Sequence, residues 1–132
     1  MKKAEKDEDA NVRQVAQAAA VQIRADPNLK DFQVQGVLSP GDPFDRVRKG
    51  CYHVVHAYAM KAGQRYTIDL ISSWDNYLRL EDAQGKQLAE DDDGGGFPNA
   101  RILFTAPNDG WYRIIVTSYA PGASGSYTLK VR

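Results

Sequence analysis

Short runs of alternating apolar and polar residues, separated by turn residues, extend from residue 31 to the end of the chain. Tyr66, Ile68 and Leu70 show this alternation, and residues 112–116 and 127–131 repeat it. A period of two is typical of a β-strand with one buried and one wet face. About eight such runs, with no helix between them for parallel crossovers, predict an all-β antiparallel sandwich of jelly-roll type.

The first thirty residues have a different pattern. Val12, Val15, Ala19 and Ile23 recur at spacings of three and four, which predicts a short N-terminal helix over 9–25 that ends before Pro27. Its apolar stripe is mostly alanine, so the helix would bury little surface. We expect residues 1–30 to be a helical extension or linker, with a docked helix as the alternative, and residues 31–132 to be the sandwich domain.

Composition narrows the class of function. The 132 residues suit one domain, and 17 basic against 17 acidic residues argue against a general nucleic-acid binder. No apolar run is long enough to span a membrane, and one cysteine, Cys51, allows no internal disulfide. Charged residues fill positions 5–9, where a signal peptide needs an apolar stretch, so we expect no signal peptide in this chain. The protein is then cytoplasmic or cut from a longer precursor.

The turn at 82–85 predicts a hairpin. Aspartate at its start and Gly85 at its end suit a three-residue loop over 83–85. This register places Leu78, Leu80 and Leu88 on one buried face. It pairs Leu80 with Leu88, Asn76 with Asp92 and Asp75 with Asp93.

An acidic cluster lies at the open end of this hairpin. The run 90–93 is Glu-Asp-Asp-Asp, three glycines follow it, and the register brings Asp75 beside it. Crowded carboxylates raise one another's pKa unless a cation lies among them, and calcium takes six to eight oxygen ligands in irregular geometry. The candidate metal ligands are therefore Asp75, Asp91, Asp92 and Asp93. A solvated acidic loop and a small hydrolase that uses paired carboxylates are the alternatives.

The aromatic residues divide by phase. Tyr66, Tyr112 and Tyr127 alternate with apolar neighbours and are predicted to lie in the core. Three others, Trp74, Tyr77 and Tyr119, are out of phase and form either a binding surface or caps on the ends of the sandwich. We predict no catalytic residue, because the serines and histidines lack a nucleophile elbow.

Six blocks along the chain form a recognisable series: 61–70 (KAGQRYTIDL), 74–80 (WDNYLRL), 85–93 (GKQLAEDDD), 99–102 (NARI), 110–114 (GWYRI) and 125–129 (GSYTL). Together they resemble the bacterial pre-peptidase C-terminal domain. Their order and spacing match the family over about 32–131, which is nearly the whole β region.

The resemblance implies a jelly-roll β-sandwich that serves as a non-catalytic accessory module of exported bacterial proteins. It implies an extracytoplasmic location, and an extracellular polymer, a protein or a neighbouring domain as partner. In some members acidic residues bind calcium, and Asp75 and Asp91 to Asp93 match the family's acidic motifs. A purely structural spacer or folding aid for a neighbouring domain is a further alternative. The predicted helix stands where a protease domain is expected, which puts a link to a protease in doubt.

Overall fold

A computed structural model describes residues 21–23 and 32–132. It contains nine strands: β1 (Val21–Ile23), β2 (Phe32–Leu38), β3 (Val54–Met60), β4 (Arg65–Ser72), β5 (Asn76–Glu81), β6 (Gln87–Asp91), β7 (Ala100–Thr105), β8 (Gly110–Ser118) and β9 (Gly125–Val131). Within this part of the chain, no helix is long and apolar enough to cross a membrane.

The strands form two packed sheets. One has the order β1-β3-β8-β5-β6, and the other has the order β2-β9-β4-β7. Every pair among β2 to β9 is antiparallel, which confirms the all-β jelly-roll sandwich.

The predicted helix over 9–25 lies outside the described residues except at 21–23. There the prediction is wrong, because Val21–Ile23 forms β1 and pairs in parallel with β3, Val21 lying opposite His56. The free edge of β3 offers unpaired backbone groups, and a strand that adds to it satisfies them. This parallel pair is also an exception to the all-antiparallel expectation.

The core lies between the two sheets and consists of the inward-facing residues of the alternating strands that the sequence predicts. Tyr127, Leu129 and Val131 of β9 point inward, each at most 4% exposed. Tyr66 and Tyr112 are likewise buried, so the predicted core tyrosines are confirmed. Each large apolar side chain buried in this way contributes about 1.5–3 kcal/mol.

One polar contact crosses this core. Nε2 of His56 on β3 lies 2.8 Å from the Tyr127 hydroxyl on β9, and Nδ1 of His56 has no hydrogen-bond partner. Burial lowers the pKa of His56 from 6.5 to about 4, so the imidazole is neutral in the fold. Gly36 lies opposite Tyr127, and a Cβ at Gly36 would overlap the tyrosine hydroxyl.

The β5–β6 hairpin follows the predicted register only near its tip. Glu81 lies opposite Gln87, and the Asp82 amide donates to the Lys86 carbonyl at 2.9 Å, as the three-residue loop predicts. The register then shifts between Leu80 and Glu81 at a β-bulge. The predicted pairs Leu80 with Leu88, Asn76 with Asp92 and Asp75 with Asp93 are therefore wrong: the ladder pairs Leu80 with Ala89 and ends at Leu78 and Asp91.

Candidate functional site

The bulged hairpin brings two of the four predicted metal ligands together. Asp75 precedes β5 and Asp92 follows β6, so both leave the sheet at the same end. Their carboxyl groups lie within hydrogen-bonding range, and the pKa of Asp92 is raised by burial and by the charge of Asp75. Oδ1 of Asp75 and Oδ1 of Asp92 are both buried and have no hydrogen-bond partner. These two oxygens are therefore without a donor, although the charge of Arg48 opposes part of the rise in the Asp92 pKa.

The other two aspartates have different surroundings. Asp91 Oδ2 accepts the Gly94 amide at 2.7 Å and the Arg101 amide at 2.9 Å, which braces the turn after β6. A Cβ at Gly94 would lie 2.8 Å from the same oxygen, so glycine permits this close approach. Asp93 is exposed and acts on Asp92 through its charge. Across residues 32–132, no three His, Cys, Asp or Glu side chains form a group that could hold a metal.

Two of the three predicted surface aromatics lie beside this pair. The Arg48 guanidinium is 4.0 Å from the centre of the Tyr77 ring and 5.3 Å from that of Tyr119. The Tyr77 hydroxyl donates to Glu90 Oε1 at 2.8 Å. Burial and this carboxylate raise the pKa of Tyr77 to about 12. Tyr119 remains 52% exposed, so among Trp74, Tyr77 and Tyr119 it is the side chain most available to a partner.

Trp74 has a structural position instead. Its Nε1 donates to the Ser126 carbonyl at 2.9 Å, and its ring packs against the core. A Cβ at Gly125 would lie 2.6 Å from Nε1, so the indole occupies the space that this glycine leaves. Trp74 therefore caps the end of the sandwich, which is one of the two roles that its phase allows.

Two residues near the carboxyl pair, Arg48 and Phe97, were not among the predicted site residues. Arg48 stacks on the tyrosines from the loop between β2 and β3, and its contact with Tyr77 joins segments that are far apart in sequence. Phe97 is 74% exposed in the loop that leads to β7, and the Pro98 carbonyl accepts the Asn76 amide beside Asp75. The sequence signal for it is a large aromatic residue between Gly96 and Pro98, because glycine and proline are typical of turns and turns lie mostly at the surface.

A buried ionic network holds the loop that carries Arg48. Asp45 accepts two hydrogen bonds from Arg79, at 2.9 and 2.5 Å, and one from the Arg48 amide at 2.9 Å. Burial raises the pKa of Asp45, but these hydrogen bonds outweigh it and lower the pKa. Arg79 also bonds Glu81 at 2.7 Å, and Arg113 bonds the same glutamate at 2.9 Å. The loop is thereby fixed over the outer face of β5 and β8.

Ser72, His53 and Asp69 have the residue types of a hydrolase triad, but each is bonded to a different group. Ser72 Oγ donates to the Trp74 carbonyl at 2.6 Å, and Asp69 is paired with Arg101 and Arg132. Nδ1 of His53 lies 2.9 Å from the Pro43 carbonyl. These contacts give the three side chains separate structural partners.

Comparison with known proteins supports the fold. No protein-family model matches the chain, and no curated protein does. The pre-peptidase C-terminal domain of a collagenase from Bacillus anthracis superposes with a TM-score of 0.60 at 16% identity, over 86% of this chain and 94% of that domain.

Two periplasmic inhibitors of g-type lysozyme also match. PliG from Aeromonas hydrophila has a TM-score of 0.60 at 17% identity, over 85% of this chain and 95% of its own. PliG from Salmonella Typhimurium has a TM-score of 0.55 at 16% identity, over 86% and 96%. This chain thus has the fold of a pre-peptidase C-terminal domain, which the inhibitors share, as the six sequence blocks imply.

Proposed function

We propose that the chain is a non-catalytic accessory module of an exported bacterial protein, that it acts outside the cytoplasm, and that it binds a protein or polymer partner. One solved structure of this fold is the pre-peptidase C-terminal domain of a collagenase, and two are periplasmic inhibitors of g-type lysozyme. In this proposal 31–132 is the module and 1–30 is its extension, of which 21–23 adds β1 to the edge of the five-stranded sheet. The alternative, a hydrolase that uses the paired carboxylates, would need a substrate groove beside them; two grooves of the described residues, of about 470 and 410 Å³, include neither Asp75 nor Asp92 in their lining.

The end of the sandwich around the carboxyl pair is the proposed binding surface. Tyr119 and Phe97 are exposed there, and backbone hydrogen bonds join their segments to the Asp75 turn: the Tyr119 amide donates to the Asp75 carbonyl, and the Asn76 amide donates to the Pro98 carbonyl. Exposed aromatic rings anchor many protein interfaces, because they bury a large area with little loss of side-chain entropy. The neighbouring carboxylates would favour a partner with a basic surface.

A calcium ion between Asp75 and Asp92 is the second part of the proposal. The observation that supports it is the pair of buried Oδ1 atoms without a donor. A calcium ion would take these oxygens as ligands, add positive charge to that of Arg48 and complete its shell with backbone carbonyls and water. Asp93 would act on the ion through its charge, whereas Asp91 would hold the turn by accepting the Gly94 amide and would not be a ligand.

Thermal unfolding with and without calcium tests this part. At 100 times its dissociation constant, one calcium ion adds about 2.7 kcal/mol to the free energy of unfolding, which raises Tm by several degrees. Asp92→Asn should abolish the rise, and without calcium it should leave Tm unchanged or higher because it relieves the repulsion. Asp109→Asn makes the same chemical change at the opposite end of the sandwich and serves as the control. An unchanged calcium response in Asp92→Asn would refute the site.

A further inference from the structure

The outer face of the four-stranded sheet carries a groove of about 470 Å³ that includes neither Asp75 nor Asp92 in its lining. β9 is its floor, and β2 and β4 flank β9 on either side. The strand register sets the side chains in rows across these strands. Val37 lies opposite Ser126, and Gln35 and Ile71 both lie opposite Thr128. Small side chains on the central strand between longer ones on its neighbours make the trough.

The walls of the groove are aliphatic and uncharged. Val37 is 59% exposed on one side, and Ile71 is 38% exposed on the other. Gln35, Ser126 and Thr128 add an amide and two hydroxyls between them. Such a trough accepts an apolar side chain and offers hydrogen-bonding groups to the chain that carries it.

A cationic cluster continues this face two residues further along β9. Lys130 and Arg101 both lie opposite Asp69 on the neighbouring strands. Arg101 Nε is 2.6 Å from one Asp69 oxygen, and Arg132 Nη1 is 2.8 Å from the other. The two arginine side chains are 40% and 44% exposed, whereas Asp69 is buried beneath them. Three cations around one buried carboxylate leave an excess of positive charge on the surface.

We propose that this face binds an extended acidic peptide segment that lies along β9. An aliphatic side chain of the peptide would occupy the groove between Val37 and Ile71, and carboxylates would bind Arg101, Lys130 and Arg132. Guanidinium groups pair with carboxylates through two parallel hydrogen bonds, which gives both charge and geometric complementarity. Positions two residues apart on a strand lie about 7 Å apart and point to the same side, so the apolar and acidic residues of the ligand should occupy every second position of its chain.

A peptide fits this face better than an acidic polysaccharide does, because a peptide supplies aliphatic side chains for the groove and a glycan chain has none. The excess of positive charge selects against basic segments. The proposal does not depend on the calcium site, since the two involve different side chains: the groove is lined as far as Ser73, and neither Asp75 nor Asp92 belongs to its lining.

Fluorescence anisotropy with two labelled peptides tests the proposal. Both consist of glycine and serine with one valine and two glutamates: in one peptide the three residues alternate with glycine, and in the other they are consecutive. The alternating peptide should bind the wild-type protein more tightly. Lys130→Gln and Val37→Ser should each weaken its binding, the first by roughly tenfold, because a hydrogen bond to a charged group is lost. Lys86→Gln and Leu103→Ser change an exposed lysine and an exposed leucine outside the groove and should bind as the wild type does.

Three results would overturn the proposal. The first is absence of binding at millimolar protein, and the second is equal affinity for the two peptides. The third is binding of polygalacturonate but of neither peptide, which would assign the face to an acidic polysaccharide. Peptide affinity should be unchanged by calcium and by Asp92→Asn, so a failed calcium site and a failed peptide site give distinguishable outcomes.

Discussion

Acidification should destabilise this protein before its carboxylates titrate, because of the buried histidine. His56 is 2% exposed, and burial lowers its pKa from 6.5 to about 4. A histidine with a lowered pKa contributes stability that is fully present above its unfolded pKa of 6.5 and is lost as the pH falls toward 4. The unfolded chain takes up the proton first, so each step down in pH favours unfolding.

The size of this effect follows from the two pKa values. Between pH 8 and pH 5, a histidine that shifts from 6.5 to about 4 removes about 2 kcal/mol from the free energy of unfolding. The ordinary pKa of an aspartate or glutamate side chain is about 4, below this range, so we assign the loss mainly to histidine. His53 also has a pKa lowered by burial, and it acts in the same direction.

Urea denaturation at pH 8, 7, 6 and 5 measures the loss. His56→Leu should be less stable at pH 8, because the Tyr127 hydroxyl loses its partner, but its stability should vary with pH by about 2 kcal/mol less than that of the wild type. His53→Gln is the matched control, and it should retain the His56 contribution. NMR titration of the wild-type imidazole checks the same point without a variant. Parallel pH profiles for wild type and His56→Leu, or a measured His56 pKa near 6.5, would refute the reasoning.

Two further substitutions test the packing that positions the site. Gly36→Ala should lower the free energy of unfolding by about 1–3 kcal/mol, because its Cβ overlaps the Tyr127 hydroxyl. Gly63→Ala is the comparison: its Cβ meets open space but its φ is +80°, so it measures backbone strain without the overlap. Arg79→Met should lower the free energy of unfolding by about 3–5 kcal/mol, because it leaves Asp45 and Glu81 buried without their shared cation. Arg65→Met, at an exposed position, is the control, and similar urea midpoints for the two variants would contradict the role of the network.

Local alternation was sufficient to predict the strands and the inward tyrosines, because each strand from β2 to β9 has one face toward the core. It was insufficient where a second layer covers the outer face. Arg79 lies between Leu78 and Leu80 and has the phase of a wet residue, but it is 1% exposed beneath the loop around Asp45. The pattern of the hairpin residues could not predict that a loop covers Arg79, since that loop is more than thirty residues away in sequence.

The candidate site divides in the same way. Proximity of Asp75 and Asp92 followed from the hairpin, although the bulge makes the predicted register wrong. The different roles of Asp91 and Asp92 did not follow, because they depend on which carboxylate meets the Gly94 and Arg101 amides. Residues 21–23 satisfy a helical period equally well, and pairing with the β3 edge decides their conformation.

Isothermal titration of the metal-free protein with calcium tests the central claim most directly, because it reports binding to the Asp75–Asp92 pair and does not depend on stability. The account predicts one site in the wild type, none in Asp92→Asn, and a site of near wild-type affinity in Asp109→Asn. Absence of calcium binding to the wild type, or equal binding to wild type and Asp92→Asn, would contradict it.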